Sequence, residues 1–256
     1  AFAVLLFARL APLGVAWLRI ASAAAVFALW RRPWRYLRAL DGGARRTVLL
    51  LGLVLASMNG CFYLAIARLP LGTVGAIEFL GPISLAALGL RSRRNLAALL
   101  LAAGGVAVLT DLRLAGAPLG YLFAFANCAL FVLYVVLGHR LAAAGSAAGI
   151  DRLGAAMLAA SVAALPFGIA DAAPALTQPA LLAAGIGVGV SSSVIPYVCD
   201  QLAMARLPRA SFALMLSLLP ATASGIGMLV LRQWPSAWEL AGVALVIAGV
   251  ALHRVR

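Results

Sequence analysis

Long apolar runs, broken by short clusters of arginine, glycine and proline, set the pattern of this chain. Runs of about 17–25 apolar residues cross a bilayer when coiled as helices. Strand spans would alternate apolar and polar positions, and these runs do not. The pattern predicts ten spans: a stub at 1–8, then 12–30, 47–67, 72–90, 95–110, 118–139, 151–170, 180–203, 210–231 and 236–253. Most connections are short, so consecutive spans are expected to be neighbours. The longest connection runs from Arg31 to Arg46. The stub, Ala1 to Ala8, is too short to cross, and the chain starts without Met. It is expected to be the end of a truncated first span.

One heptad of sequence occurs twice. Leu64-Ala65-Ile66-Ala67-Arg68-Leu69-Pro70 returns as Leu202-Ala203-Met204-Ala205-Arg206-Leu207-Pro208, an offset of 206 − 68 = 138. The same offset carries Pro82 onto Pro220. A repeat of half the chain, in a bundle of membrane spans, is the mark of a carrier built from two related halves. The expected fold is therefore an all-α polytopic membrane protein: a ten-helix bundle of two inverted five-helix repeats, at 1–112 and 116–256. Five spans per half is an odd number, so the halves face opposite ways across the membrane. Carriers of this kind bind substrate where the halves meet.

Composition agrees. The chain is 65% hydrophobic and 11% charged, with a formal net charge of +13. Soluble domains carry roughly 25% charged residues, which excludes a water-soluble globule. All 20 basic residues are arginine. A nucleic-acid partner would require them on one soluble face. Here they fall between apolar runs. Ten spans put fifteen arginines on one side and four on the other, with Arg19 inside the second span. The positive-inside bias then places the C-terminus in the cytoplasm. Cys61, Cys128 and Cys199 lie far apart within apolar runs and are expected to be small buried hydrophobes without a disulfide framework.

Few polar residues lie inside the spans. Glu78 stands near the middle of the fourth. A carboxylate at that depth costs a few kcal/mol on lenient scales, so it should face the bundle interior and is a candidate proton carrier. A structural carboxylate is the alternative. Arg19 has two competing roles: pairing with Glu78, or binding a substrate carboxylate through its bidentate fork. Snorkelling to the interface is the plainer reading. Asn59 and Tyr63, four apart, share a helix face, as do Asn127 and Tyr134, seven apart. With Tyr197, these are candidates for a polar pathway; interhelical hydrogen bonds and interface anchoring are the structural alternatives. Gly185, Gly187, Gly189 and Ser191 to Ser193 precede Pro196, and Gly52, Ala56 and Gly60 recur at four-residue spacing. Small residues permit close packing or local unwinding. Pro82, Pro196 and Pro220 are the expected hinges or helix breaks. Asp200 is a candidate gate. Asp111, Asp151, Asp171 and Glu239 are expected to be solvated charges at helix ends. His139 and His253 have no second ligand nearby, so no metal is expected. No catalytic motif or cofactor-binding pattern is present, which argues against an enzyme. A non-transporting receptor leaves the repeat unexplained.

Several of these residues together resemble the EamA-type branch of the drug/metabolite transporter superfamily, and within it the bacterial threonine/homoserine exporters. They are Trp17-Leu18-Arg19, Met58-Asn59, Phe62-Tyr63-Leu64, Leu69-Pro70-Leu71-Gly72, Glu78-Phe79-Leu80-Gly81-Pro82, Phe131, Tyr134, Pro196-Tyr197 and Arg206-Leu207-Pro208. The resemblance implies export of small amino acids or related metabolites in exchange for protons, through a central cavity, with Arg19, Asn59 and Glu78 matching the family pattern. A broad exporter of amphipathic or drug-like compounds is the alternative within transport. Two departures stand out. The exporters have a Glu before the proline of the ninth span, where this chain has Leu219 before Pro220. They also often read Leu-Gly-Glu at the end of that span, where this chain has Leu231-Arg232-Gln233.

Overall fold

The structure is a computed structural model, and it describes Leu6, residues 9–69, 71–89, 92–109, 118–216, 218–219 and 237–252. Among these there is no strand. The helices are α1 Pro12–Arg31, α2 Trp34–Ala39, α3 Gly42–Ile66, α4 Leu71–Gly89, α5 Arg93–Leu109 and α6 Pro118–Ala142. They continue with α7 Ser146–Thr177, α8 Pro179–Gly189, α9 Ile195–Met204, α10 Arg209–Met215 and α11 Ala237–Leu252. A π-helical segment, Val190–Val194, joins α8 to α9. Among the described residues, five stretches are long and apolar enough to cross a membrane: α1, α3, α6, α7 and the continuous run Pro179–Met204. Shorter apolar helical segments lie at Ile77–Ala86 and Leu240–Leu252. Pro220, the Leu231-Arg232-Gln233 stretch, Asp111, His253 and most of the stub lie outside the described residues.

Local chemistry sets the ends. Pro12 opens α1 at a position whose N–H needs no helical partner. Arg32 closes it in the left-handed region, φ 48°, with its N–H on the Ala28 carbonyl. Asp41 caps α3 by accepting from the Ala44 N–H at 2.6 Å. The expected loop from Arg31 to Arg46 thus contains α2 and the first turn of α3. The seventh span is longer than its apolar run suggests, because Pro166 and Pro174 sit inside α7 without ending it. Membrane helices tolerate such prolines when neighbouring groups meet the freed carbonyls.

The chain forms two compact units. One is Ala1–Ala67 with Leu133–Arg206, the other Arg68–Val132 with Leu207–Arg256. Two of the three changeovers, Ala67 to Arg68 and Arg206 to Leu207, fall inside the two copies of the repeated heptad; the third lies between Val132 and Leu133.

In the first unit, α1 packs along α7 and α8, and α3 along α7. Small residues allow this. A Cβ on Gly52 would lie 2.7 Å from Ala159 Cβ and 2.8 Å from the Ala156 carbonyl oxygen. A Cβ on Gly185 would meet Leu18, and one on Gly189 would meet Ser22. With lipid as the competing solvent, such close contact replaces the hydrophobic drive. In the second unit, α11 packs on α5 and α10 on α4, around Ala86, Ala98, Leu99, Ala102 and Leu214.

Three expectations about charge and burial are corrected. Asp151 is not a solvated end charge. It is 5% exposed and accepts from Arg31 Nε at 2.5 Å. It lies in the second turn of α7, where packing against α1 covers it. Asp171 is not at an end either, but half-buried within α7, because that helix runs on to Thr177. Cys61 and Cys128 are half-buried, but Cys199 is exposed, since it sits on the outer face of α9.

Candidate functional site

Each unit carries its own polar constellation inside apolar helices. In the second unit it is built on Gly81. A Cβ there would lie 3.0 Å from the Cys128 carbonyl oxygen and 2.9 Å from Val132 Cγ2, so only glycine lets α4 come this close to α6. Glu78 lies three residues earlier, on the same face, and Asn127 Nδ2 donates to its Oε1 at 3.2 Å. Asn127 is fully buried. Its Oδ1 has no hydrogen-bond partner among the described residues, a situation that costs about 1–3 kcal/mol. Pro82 lies within α4. Lacking an N–H, it offers no helical bond to the carbonyl of Glu78, four residues before. Glu78 itself is half-buried.

In the first unit the polar group is organised by the π segment. A single widened turn of this kind often marks a functional position in a helix. Pro196, in the first turn of α9, brings no N–H to the Ser192 carbonyl four residues earlier. Arg19 supplies a donor instead: its Nη2 donates to the Ser192 carbonyl at 2.5 Å and its Nε to Ser193 Oγ at 2.7 Å. Ser22, one turn along α1, donates to the Leu18 carbonyl at 2.7 Å and faces Gly189. The Gly/Ser stretch before Pro196 therefore serves both close packing and local unwinding, and Arg19 braces the unwound turn.

Beyond the π segment, Tyr134 and Tyr197 come together, with ring centroids 5.3 Å apart. Both are buried. Tyr134 Oη donates to Asp200 Oδ2 at 2.7 Å, so the candidate gate carboxylate is held by a buried phenol. Next to it, Gln201 is fully buried. Its Oε1 has no partner among the described residues. Asn127 and Tyr134, expected on one helix face, thus serve different partners, Glu78 and Asp200.

Asn59 and Tyr63 are both buried on α3. Asn59 Nδ2 donates to the Leu55 carbonyl of its own helix at 2.8 Å. Tyr63 joins the cluster of Leu10, Val15, Leu18 and Val188. A cavity of about 370 Å³ lies between α1, α3 and α7. Trp17, Leu53, Ala56, Gly60 and Phe167 are among its walls, with Ser57 and Cys61 the polar side chains there.

The sequence reading missed Asn127 as the partner of Glu78, Ser192 and Ser193 as partners of Arg19, and Gln201 altogether. Polar residues inside an apolar run were the available signal for all of them.

Comparison with known proteins places this architecture. The profile of the EamA-like transporter family matches residues 118–254. The threonine/homoserine exporter RhtA of Salmonella typhimurium strain LT2 is 31% identical over 242 residues, covering 92% of this chain and 79% of that protein. RhtA of Escherichia coli K12 is 29% identical over 238 residues, with the same coverage. A protein solved by crystallography shares the fold, with a TM-score of 0.71 at 18% identity, over 98% of this chain and 92% of that one. With a family match across more than half its length and a 31% identical relative aligned over most of it, the chain belongs to the EamA-like transporter family.

Proposed function

We propose that this protein exports small amino acids of the threonine/homoserine kind, or related metabolites, as a secondary transporter of the bacterial inner membrane. It works by alternating access and is coupled to protons. The observation that carries this reading is the 31% identity to a threonine/homoserine exporter. Glu78 is the proposed coupling group: a half-buried carboxylate in an apolar helix, steadied by the Asn127 amide. Arg19 is the proposed ligand for a substrate carboxylate. Its fixed fork of donors suits that group, and the π segment anchors the fork from one side. Asn59, Tyr63, Tyr134 and Tyr197 are proposed to line the substrate path, and Pro82, Pro196 and Pro220 to be its hinges.

The inverted-repeat arrangement of 1–112 and 116–256 belongs to the same proposal. Two of the three changeovers between compact units fall at matched places in the two copies of one heptad, which supports it. The arginine distribution supports a cytoplasmic C-terminus. Transport, not catalysis, is the proposed activity.

Counterflow in proteoliposomes tests the reading. Accumulation of labelled threonine or homoserine against a preloaded amino acid is the expected result. No counterflow with any amino acid, from folded protein, overturns it. The apolar cavity between α1, α3 and α7 favours a second reading, export of amphipathic compounds. Including such compounds in the panel separates the two.

A further inference from the structure

Six arginines fall within 31–46, where α1, α2 and α3 follow one another. Arg31 is held by Asp151. The other five, Arg32, Arg35, Arg38, Arg45 and Arg46, are exposed, and none of them has an ion-pair partner among the described residues. Asp41 is the one acid in this stretch, and its Oδ1 caps α3 through the Ala44 N–H. The stretch is folded. Arg32 turns the chain out of α1 in the left-handed region, α2 packs on α7, and Arg45 and Arg46 belong to α3. Arg35 and Arg38, three apart on α2, share a face. Trp30, Trp34 and Tyr36 interleave with the arginines, and all three are exposed. Rings with a polar handle settle at the headgroup level of a bilayer. That is where α1 and α3, both long enough to cross, have their ends.

We propose that Arg32, Arg35, Arg38, Arg45 and Arg46 form a binding surface for anionic phospholipid headgroups, with Trp30, Trp34 and Tyr36 seated at the same level of the bilayer. Charge complementarity names the occupant. The guanidinium fork matches the oxygens of a phosphodiester, and a cluster of basic residues beside a membrane span is the pattern that draws anionic lipid. The rings choose between sources of phosphate. A soluble polyanion matches the charge but leaves three aromatic faces in water, whereas a lipid surface meets both. The positive-inside bias needs only an excess of charge on this side. It does not need five unpaired arginines gathered on one folded segment and interleaved with aromatics. The surface is independent of what the protein transports.

Lipid preference tests it, with the full chain in phosphatidylcholine vesicles that carry a rising share of brominated phosphatidylglycerol or of brominated phosphatidylcholine. Bromine quenches tryptophan on contact, so Trp30 and Trp34 report the lipid beside the surface. The wild type is expected to prefer phosphatidylglycerol about tenfold or more, since each arginine near an anionic surface adds about fivefold. The preference should fade near about 1 M salt, where the screening length falls to about 3 Å. The triple variant Arg32→Gln, Arg35→Gln, Arg38→Gln should bring the two lipids close to parity. A control triple, Arg140→Gln, Arg206→Gln, Arg209→Gln, removes the same charge from the same side in the ten-span arrangement and should keep the preference. Equal quenching by the two lipids in the wild type overturns the proposal. So does a preference that survives in the first triple, or one lost equally in the control. If the first triple does not fold, the double variant Trp30→Phe, Trp34→Phe decides. The excess quenching by phosphatidylglycerol should vanish with those two reporters, and its survival overturns the assignment.

Discussion

The Arg31–Asp151 pair gives an asymmetric prediction, because its two ends differ in exposure. Arg31 Nε and Asp151 Oδ1 are 2.5 Å apart, with side-chain exposures of 28% and 5%. Arg31→Gln leaves a nearly buried carboxylate without its cation. Breaking a buried pair this way costs about 3–5 kcal/mol. Asp151→Asn leaves the arginine instead. Arg31 ends α1, its guanidinium lies 5.5 Å from the Trp30 ring centroid, and it can turn toward interfacial water. That loss should resemble an exposed pair, about 0.2–1 kcal/mol. The double variant should come close to Asp151→Asn alone, since the stranded carboxylate is gone. The coupling between the two sites is then about 3–5 kcal/mol in size, because subtracting both single losses from the double one leaves the Arg31→Gln cost. Reversible unfolding in mixed micelles, across all four proteins, measures it as a double-mutant cycle. Equal losses for the two single variants, or a larger loss for Asp151→Asn, would refute the argument that burial of Asp151 sets the cost.

Three further outcomes are expected. Glu78→Gln should abolish transport driven by a pH gradient while exchange at saturating substrate persists; equal pH-gradient dependence in wild type and variant removes Glu78 from coupling. Arg19→Lys keeps the charge but loses the fork that reaches Ser192 and Ser193. It should lower stability by about 1.5–3 kcal/mol and slow carboxylate substrates more than neutral ones; equal slowing would assign Arg19 to the π segment alone. Gly52→Ala puts a methyl group 2.8 Å from the Ala156 carbonyl oxygen, so α3 and α7 must part, at about 1–3 kcal/mol. An unchanged unfolding midpoint would show that the helices separate freely.

The sequence by itself determined the helices. In hydrocarbon every backbone N–H and C=O must be met within its own segment, so a span is a property of some twenty consecutive residues. The limits of α1, α4, α5, α6 and α11 follow the apolar runs within a few residues for that reason. The sequence also showed which residues were costly where they stood, Glu78 and Arg19 above all, because an ionisable group in an apolar run stands out without any knowledge of its neighbours. Their partners were another matter. Glu78 meets Asn127 across 49 residues, Arg31 meets Asp151 across 120, and Arg19 meets Ser193 across 174. A helix that is apolar all round gives no sign of which face turns inward. Tertiary packing makes that choice, at the few positions such as Gly52, Gly81 and Gly189 where a missing Cβ lets two helices touch. Asp151 shows the difference most plainly. Its place near a helix end read as solvated, and only the approach of α1 to α7 buried it against Arg31.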